Sequence, residues 1–393
     1  MARNPAHFWK VLALAALAAA AAAPGPSWAG GERRSKRLLV TFREGTSRAE
    51  RAQAAKDMGL ALSDDFDSIF VSVMEAAGDV SLQEVAKPPL PPSVVKIEED
   101  VYRNWLLDAP SAVRPAGIAP WGVARVNAPS AWPSGQGQGV SIAVIDTGVD
   151  CSHPDLRCRP SDGVNLLDPS SPPMDDNEHG THVSGIIAGN GAGGKGLLGV
   201  APRAALVAVK VLDADGAGRL SDIVKGVAWA TSAGVDVINL SLGGPGESAA
   251  LKSAVDRALR AGVVVVAAAG NSGPKSDTVV FPASYPGVIA VAASDRQDEA
   301  ASFSSRGGAV AFIAPGVDIA STVPGGGYKS LSGTSMAAPH VAGLAALAVE
   351  RGARGPSGVR SAFLSAASRL CSISACLPPA AEGAGLIDAS KLR

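Results

Sequence analysis

The sequence has no excess of charge of either sign. Thirty-five Lys and Arg stand against 36 Asp and Glu, for a net charge of -1 and 18% charged residues. That excludes the basic footprint of a nucleic-acid binder. No internal repeat is visible. His179 and His182 stand three apart and lack the His-Glu-x-x-His pattern of a zinc hydrolase. Around Ser335 there is no Gly-x-Ser-x-Gly, because Ala337 takes the last place, which disfavours an α/β-hydrolase elbow. Gly189 to Lys195 has phosphate-loop spacing, but Gly196 stands where Ser or Thr is required. The N-terminal apolar run, Val11 to Ala23, is 13 residues, short of the roughly 20 that span a bilayer.

That run has another meaning. Arg3 and Lys10 precede it, Pro24-Gly25-Pro26 breaks it, and Ser27-Trp28-Ala29 supplies a small-x-small cleavage site. Residues 1–29 therefore read as a secretory signal, and the protein as secreted with no membrane span after its removal. Export places the four cysteines in an oxidising compartment. They fall in two close pairs, Cys151 with Cys158 and Cys371 with Cys376. Three pairings are open; locality favours the two short loops, and neither pair has histidines at zinc-ligand spacing.

At 47% hydrophobic, with 45 Gly and 28 Pro, 393 residues suit one large domain plus an accessory one, rich in turns. Residues 30–36 read as a polar linker. Residues 37–105 present strand Leu38 to Phe42, helix Ser47 to Met58 with a Ser47/Glu50 capping box, strand Ser68 to Val73, helix Ser81 to Lys87 and strand Val94 to Ile97. This β-α-β-α-β run suits a small ferredoxin-like α+β domain. Residues 106–120 are Pro- and Ala-rich, a second linker. From 121 to 393 strands and helices alternate. Val140 to Asp146, Ala205 to Val211, Val235 to Leu240 and Val263 to Ala269 are continuous apolar runs; Ser221 to Ala233 and Ser248 to Ala261 read as helices between them. Strands buried on both faces with helical crossovers indicate a mostly parallel α/β sheet, whose ligands bind at the carboxyl ends of the strands.

Three stretches there carry chemistry. Ser141 to Asp146 ends a buried strand on a carboxylate, which is costly unless paired. Asn177-Glu178-His179-Gly180-Thr181-His182 leads into a buried helix, and Gly333-Thr334-Ser335 leads into another, the apolar run Val341 to Val349. A serine at a helix N-terminus can be merely a cap. With a histidine to take its proton and an aspartate to hold the histidine, it is a nucleophile. His182, His153 and His340 read as packed structural residues.

The order Asp146, His179, Ser335, with Ala143 to Gly148, His179 to Val183 plus Gly185, and Gly333 to Gly343, resembles the subtilisin family of serine endopeptidases over about Trp121 to Asp388. The resemblance implies attack by Ser335, proton transfer by His179 and orientation by Asp146. It implies an oxyanion held by Asn271, in Ala267 to Gly273, and by the Ser335 N–H. Gly216-Ala217-Gly218 and Ser241-Leu242-Gly243 resemble the edges that grip an extended peptide. Val280 stands where many relatives carry glycine in the main side-chain pocket, implying a shallower pocket and a preference for apolar residues before the cut. Residues 37–105 resemble the inhibitory propeptide, making Arg37 to about Trp105 an intramolecular inhibitor, self-cleaved between about Leu106 and Ala119. The partners implied are protein or peptide substrates, and the mature chain is expected to be a monomer. No cofactor is implied for the chemistry. Asp155 matches a calcium ligand of many relatives, but Asn190 to Leu198 lacks carboxylates, so structural calcium stays open.

Overall fold

The computed structural model describes residues 36–78, 80–87, 89–107, 120–192, 196–371 and 376–393. The expected signal, positions 108–119 of the expected second linker (106–120) and the Gly-rich positions 193–195 lie outside them.

The first structural unit is a four-stranded antiparallel sheet in the order β2-β3-β1-β4. It comprises β1 (Lys36–Phe42), α1 (Arg48–Asp57), β2 (Leu60–Phe66), β3 (Val71–Ala76), α2 (Leu82–Val85) and β4 (Val94–Glu99). Ser47 and Ser81 cap the two helices through capping boxes with Glu50 and Glu84. β2 is a strand beyond the β-α-β-α-β reading. Its polar sequence conceals it, because Asp65 is spent on Arg51 and Ser72, and Asp64 on Lys225. β3 begins later than expected: Asp67–Ile69 forms a 3-10 turn and Phe70 takes a left-handed conformation (φ 55°) before the strand starts. β1 is apolar on both faces for a reason. Leu38, Val40 and Phe42 pack under α1 and α2, while Leu39 faces the larger unit.

After β5 (Tyr102–Asn104), α3 (Trp121–Arg125) and α4 (Ala128–Ala131) come β6 (Ser141–Asp146), β7 (Val164–Asn165), α5 (His179–Ala188), β8 (Ala205–Lys210), β9 (Ala217–Arg219) and α6 (Leu220–Ser232). There follow β10 (Val237–Leu240), α7 (Ala249–Arg260), β11 (Val264–Ala268), β12 (Ile289–Ser294), β13 (Val310–Pro315), β14 (Ile319–Val323), β15 (Gly327–Leu331) and α8 (Thr334–Glu350). The chain ends with α9 (Gly355–Ala366), β16 (Ala367–Ser368), α10 (Pro379–Glu382) and β17 (Leu386–Ile387).

Among the described residues the main sheet runs β16-β17-β13-β12-β11-β10-β6-β8-β7. Every pairing is parallel except β16 with β17. This is the mostly parallel α/β sheet flanked by helices that the sequence implies. Two apolar cores lie on its faces: α5 and α8 cover one, α6 and α7 the other. The second core also takes in Leu39, Phe66, Ile69, Val71 and Val73, so the four-stranded sheet packs its outer face on α6 and α7. Both expected local disulfides form, Cys151–Cys158 and Cys371–Cys376. No helix of the described residues is long and apolar enough to cross a membrane.

Candidate active site

β6 is buried on both faces and ends on Asp146, whose side chain has no solvent exposure. A carboxylate there needs a partner, and His179, the first residue of α5, supplies it. His179 Nδ1 lies 2.8 Å from Asp146 Oδ1 and 3.0 Å from Oδ2. Burial opposes a charge on His179. The Asp146 carboxylate, with Asp175 and Glu178 adding, outweighs burial and holds the imidazole pKa above its ordinary 6.5.

Ser335 is the second residue of α8, after Gly333 has turned the chain. Pro339 within that helix cannot donate to the Ser335 carbonyl four residues back, so this carbonyl accepts from Ser241 Oγ (2.8 Å). The Ser335 hydroxyl donates to the Ser241 carbonyl at 2.9 Å. Transfer of its proton to the imidazole thus requires the hydroxyl to turn; catalytic hydrogen bonds commonly tighten only when substrate is bound. His179 and Ser335 line one cavity together with Leu106, Leu107, Lys329 and Met336.

Asn271 is oriented by α8. Its Oδ1 accepts from Thr334 N (3.0 Å) and Thr334 Oγ1 (2.9 Å), which leaves Nδ2 facing outward. Nδ2 donates to the Leu107 carbonyl at 3.1 Å. A peptide carbonyl of the chain itself therefore occupies the place expected of a substrate carbonyl.

The residues leading to Leu107 lie along the two expected edges. β5 pairs antiparallel with β9, with Arg103 opposite Gly218 and Asn104 opposite Ala217. Trp105 N donates to Gly216 O (3.0 Å), Trp105 Nε1 to Gly218 O (2.8 Å), and Gly243 N to Trp105 O (3.1 Å). Gly216 has φ +72°, a conformation that favours glycine, and a Cβ there would stand 2.4 Å from the end of the Leu106 side chain. Leu242 is wholly buried and shapes the edge from within. Val280 Cγ2 lies 2.6 Å from where a Cβ on Gly243 would sit, which puts Val280 against that edge.

Two further contacts join the four-stranded sheet to the helices. Asp100 Oδ1 accepts from Ser221 N and Oδ2 from Ser221 Oγ, both 2.8 Å, at the start of α6. Glu98 accepts from Ala249 N (2.9 Å) and binds Ser248 Oγ at the start of α7. Unpaired helix N–H groups and the positive dipole end favour a carboxylate at such a position. Sequence reasoning missed these two acids, and it missed Leu107 as the residue in the cleft. The readable signal was the apolar Trp105-Leu106-Leu107 immediately before the Pro- and Ala-rich stretch.

His182 is structural. Its Nε2 faces the Ile319 and Lys329 carbonyls at 3.0 Å, and burial lowers its pKa to about 3. Asp155 Oδ2 accepts from Leu197 N (2.7 Å) and Tyr328 OH (2.8 Å), leaving Oδ1 buried and unpartnered. One free carboxylate oxygen does not make the six to eight ligands of calcium, and no acidic or His/Cys cluster of metal-binding size exists among the described residues.

Comparison with known proteins shows the family. The subtilase family profile matches residues 137–375. Subtilisin amylosacchariticus of Bacillus subtilis subsp. amylosacchariticus is 42% identical over 327 residues, 82% of each chain. Subtilisin of Bacillus pumilus is 50% identical over 240 residues, 60% of this chain and 86% of that one. The crystal structure of fervidolysin from Fervidobacterium pennivorans, a keratinolytic enzyme related to subtilisin, aligns with TM-score 0.77 at 26% identity, over 92% of this chain and 61% of that chain. A match across more than half the chain, together with a relative alike over four-fifths of both lengths, places the chain in the subtilase family as a subtilisin-like serine endopeptidase.

Proposed function

We propose that the chain is made as a secreted, self-processing proenzyme in which Asp146, His179 and Ser335 form the catalytic triad. Ser335 Oγ attacks the peptide carbonyl carbon while His179 Nε2 takes the hydroxyl proton, and Asp146 steadies the imidazolium. The carbonyl oxygen gains negative charge and is met by Asn271 Nδ2. Collapse breaks the C–N bond, His179 returns the proton to the departing amine, and an acyl ester on Ser335 remains. Water, deprotonated by His179, hydrolyses the ester and restores the serine.

The observation that carries this reading is the Leu107 carbonyl at Asn271 Nδ2, on a strand gripped by Gly216, Gly218 and Gly243. It supports the residues up to Leu107 as the propeptide, bound as product or substrate, and Leu107–Asp108 as the bond that is cut. It also fits an apolar residue before the cut. The test is intact mass and N-terminal sequencing of the secreted chain beside Ser335→Ala. Wild type should begin at Asp108 and Ser335→Ala should keep the propeptide attached. A Ser335→Ala chain that is shortened at Leu107 when expressed alone would overturn the reading.

A further inference from the structure

One buried carboxylate near His179 has no part in the triad. Asp175 is 8% exposed and accepts five hydrogen bonds. Oδ1 takes Thr147 Oγ1 (2.8 Å), Asn177 N (3.0 Å) and Glu178 N (3.0 Å); Oδ2 takes Thr181 N (2.8 Å) and Thr181 Oγ1 (2.6 Å). These donors come from two places that catalysis needs in register. Thr147 directly follows Asp146, and its N–H donates to Asp146 Oδ1 (2.7 Å) while its hydroxyl oxygen accepts from Gly180 N (2.9 Å). Asn177, Glu178 and Thr181 surround His179 on the first turn of α5.

That turn is under constraint. Glu178 has φ 129°, unfavourable for a residue with a side chain, and the Asp175 carboxylate holds its N–H. A Cβ on Gly180 would stand 2.1 Å from Gly148 O, so the helix start is pressed directly on the turn after Asp146. Nothing else in the turn supplies five acceptor contacts to both sides.

We infer that Asp175 is a positioning residue of the proton-transfer pair: through Thr147 and the first turn of α5 it locks the end of β6 to His179, and its charge helps sustain the imidazolium. The inference rests on the reading of Asp146 and His179 as that pair. The other charges facing His179 are accounted for. Asp146 lies on β6, Glu178 is paired with Lys329 of β15, and Lys210 of β8 binds Asp176 and the Thr147 carbonyl. His182 behind it is neutral. Asp175 is the one remaining anion, and it is held by neutral donors alone.

The experiment uses the full chain, secreted and processed, with active sites counted by a covalent serine-directed probe. Asp175→Asn keeps the shape but turns an amide N–H toward existing donors. Its kcat should fall about 10²-fold, the cost of slight misplacement of reacting groups, with KM unchanged. The acid limb of its pH profile should move to lower pH, because one anion near His179 is gone. Thr147→Val should lower kcat similarly without that movement, and Thr147→Ser should restore it. A merely structural Asp175 would change the melting temperature and leave kcat and the acid limb in place; that result overturns the inference. Should Asp175→Asn fail to fold, wild-type kcat in Thr147→Val overturns it alone. Ser335→Ala run in parallel separates the two readings: if that variant hydrolyses peptide like wild type, the triad has failed, and not Asp175.

Discussion

If the four-stranded sheet is an inhibitor held on the enzyme by helix-capping acids, then removing one of them should loosen it by a calculable amount. Asp100 is the better choice, because it is 5% exposed and solvent screens it little. It receives two bonds from Ser221 of α6, at 2.8 Å each, while Arg37 Nε, on its own sheet, donates at 3.0 Å and stays with the propeptide. Hydrogen bonds to a charged group contribute about 1.5–3 kcal/mol each. Taking the low end, since the α6 N–H groups regain water on release, Asp100→Ala loses about 3 kcal/mol across the junction. That is roughly a 10²-fold rise in the dissociation constant of the processed complex. The assay is recovery of peptidase activity as the freshly processed complex is diluted. Wild type should stay latent to concentrations about 10²-fold lower than Asp100→Ala. Superimposable dilution curves would refute the reasoning, because they would leave the capping bonds without any part in inhibition.

The remaining expectations follow from other residues. The acid limb of kcat/KM should have its midpoint above 6.5, because neutral His179 must accept the proton and its pKa is raised; a midpoint below 6.5 in steady-state profiles would contradict this. Val280→Gly should deepen the side-chain pocket and raise kcat/KM for bulky aromatic residues before the cut, by about tenfold for the volume of a few methylene groups, as read from a peptide library. An unchanged aromatic-to-leucine ratio would show that Val280 does not shape the pocket. Burial, with Asp100 adding, lifts Asp222 from 3.8 to about 6. The Asp100 part of that rise leaves with the propeptide, so ionisation of Asp222 should weaken propeptide retention as pH climbs to about 6, with little further effect above that. Dilution curves for Asp222→Asn should lack this component, and an Asp222→Asn curve with the wild-type pH dependence would count against it.

The main sheet was legible because its strands are buried on both faces. Ile142-Ala143-Val144-Ile145 and Val264-Val265-Val266 have no polar residue to blur the pattern, and a parallel sheet covered on both faces buries such short β-branched runs. The pairing of Asp146 with His179 was legible for a related reason: Asp146 is a carboxylate ending a wholly apolar strand and needs a partner. Element limits were less so. β2 escaped because its Asp64 and Asp65 look like a solvated loop until Lys225 and Arg51, distant in sequence, are seen to meet them. Glu98 and Asp100 fell within the stretch that resembles the propeptide, but their contacts stayed hidden, since nothing local tells an acid that caps its own helix from one that caps another's. Asp175 was likewise invisible as anything but a loop residue, because its value lies in donors from Thr147 and Thr181.

One rule of architecture brings these pieces to a single rim. In a parallel sheet each crossover helix begins near the carboxyl end of the strand before it, so the helix N-termini gather on one side of the molecule. Here α5 begins with His179, α8 with Thr334-Ser335, α6 with the N–H groups that Asp100 caps, and α7 with those that Glu98 caps. The same unpaired N–H groups and dipoles that favour a developing oxyanion favour a carboxylate from outside. An inhibitor that presents two acids at the spacing of α6 and α7 is thereby aligned so that the strand following them, Tyr102–Asn104, runs along β9 and delivers Leu107 to Asn271. On the proposed reading, catalysis and its suppression by the propeptide are two uses of one electrostatic edge. A substrate lacking the two acids should be gripped only by the strand edges, and would leave once cut, whereas the propeptide, still held by both helices, would stay.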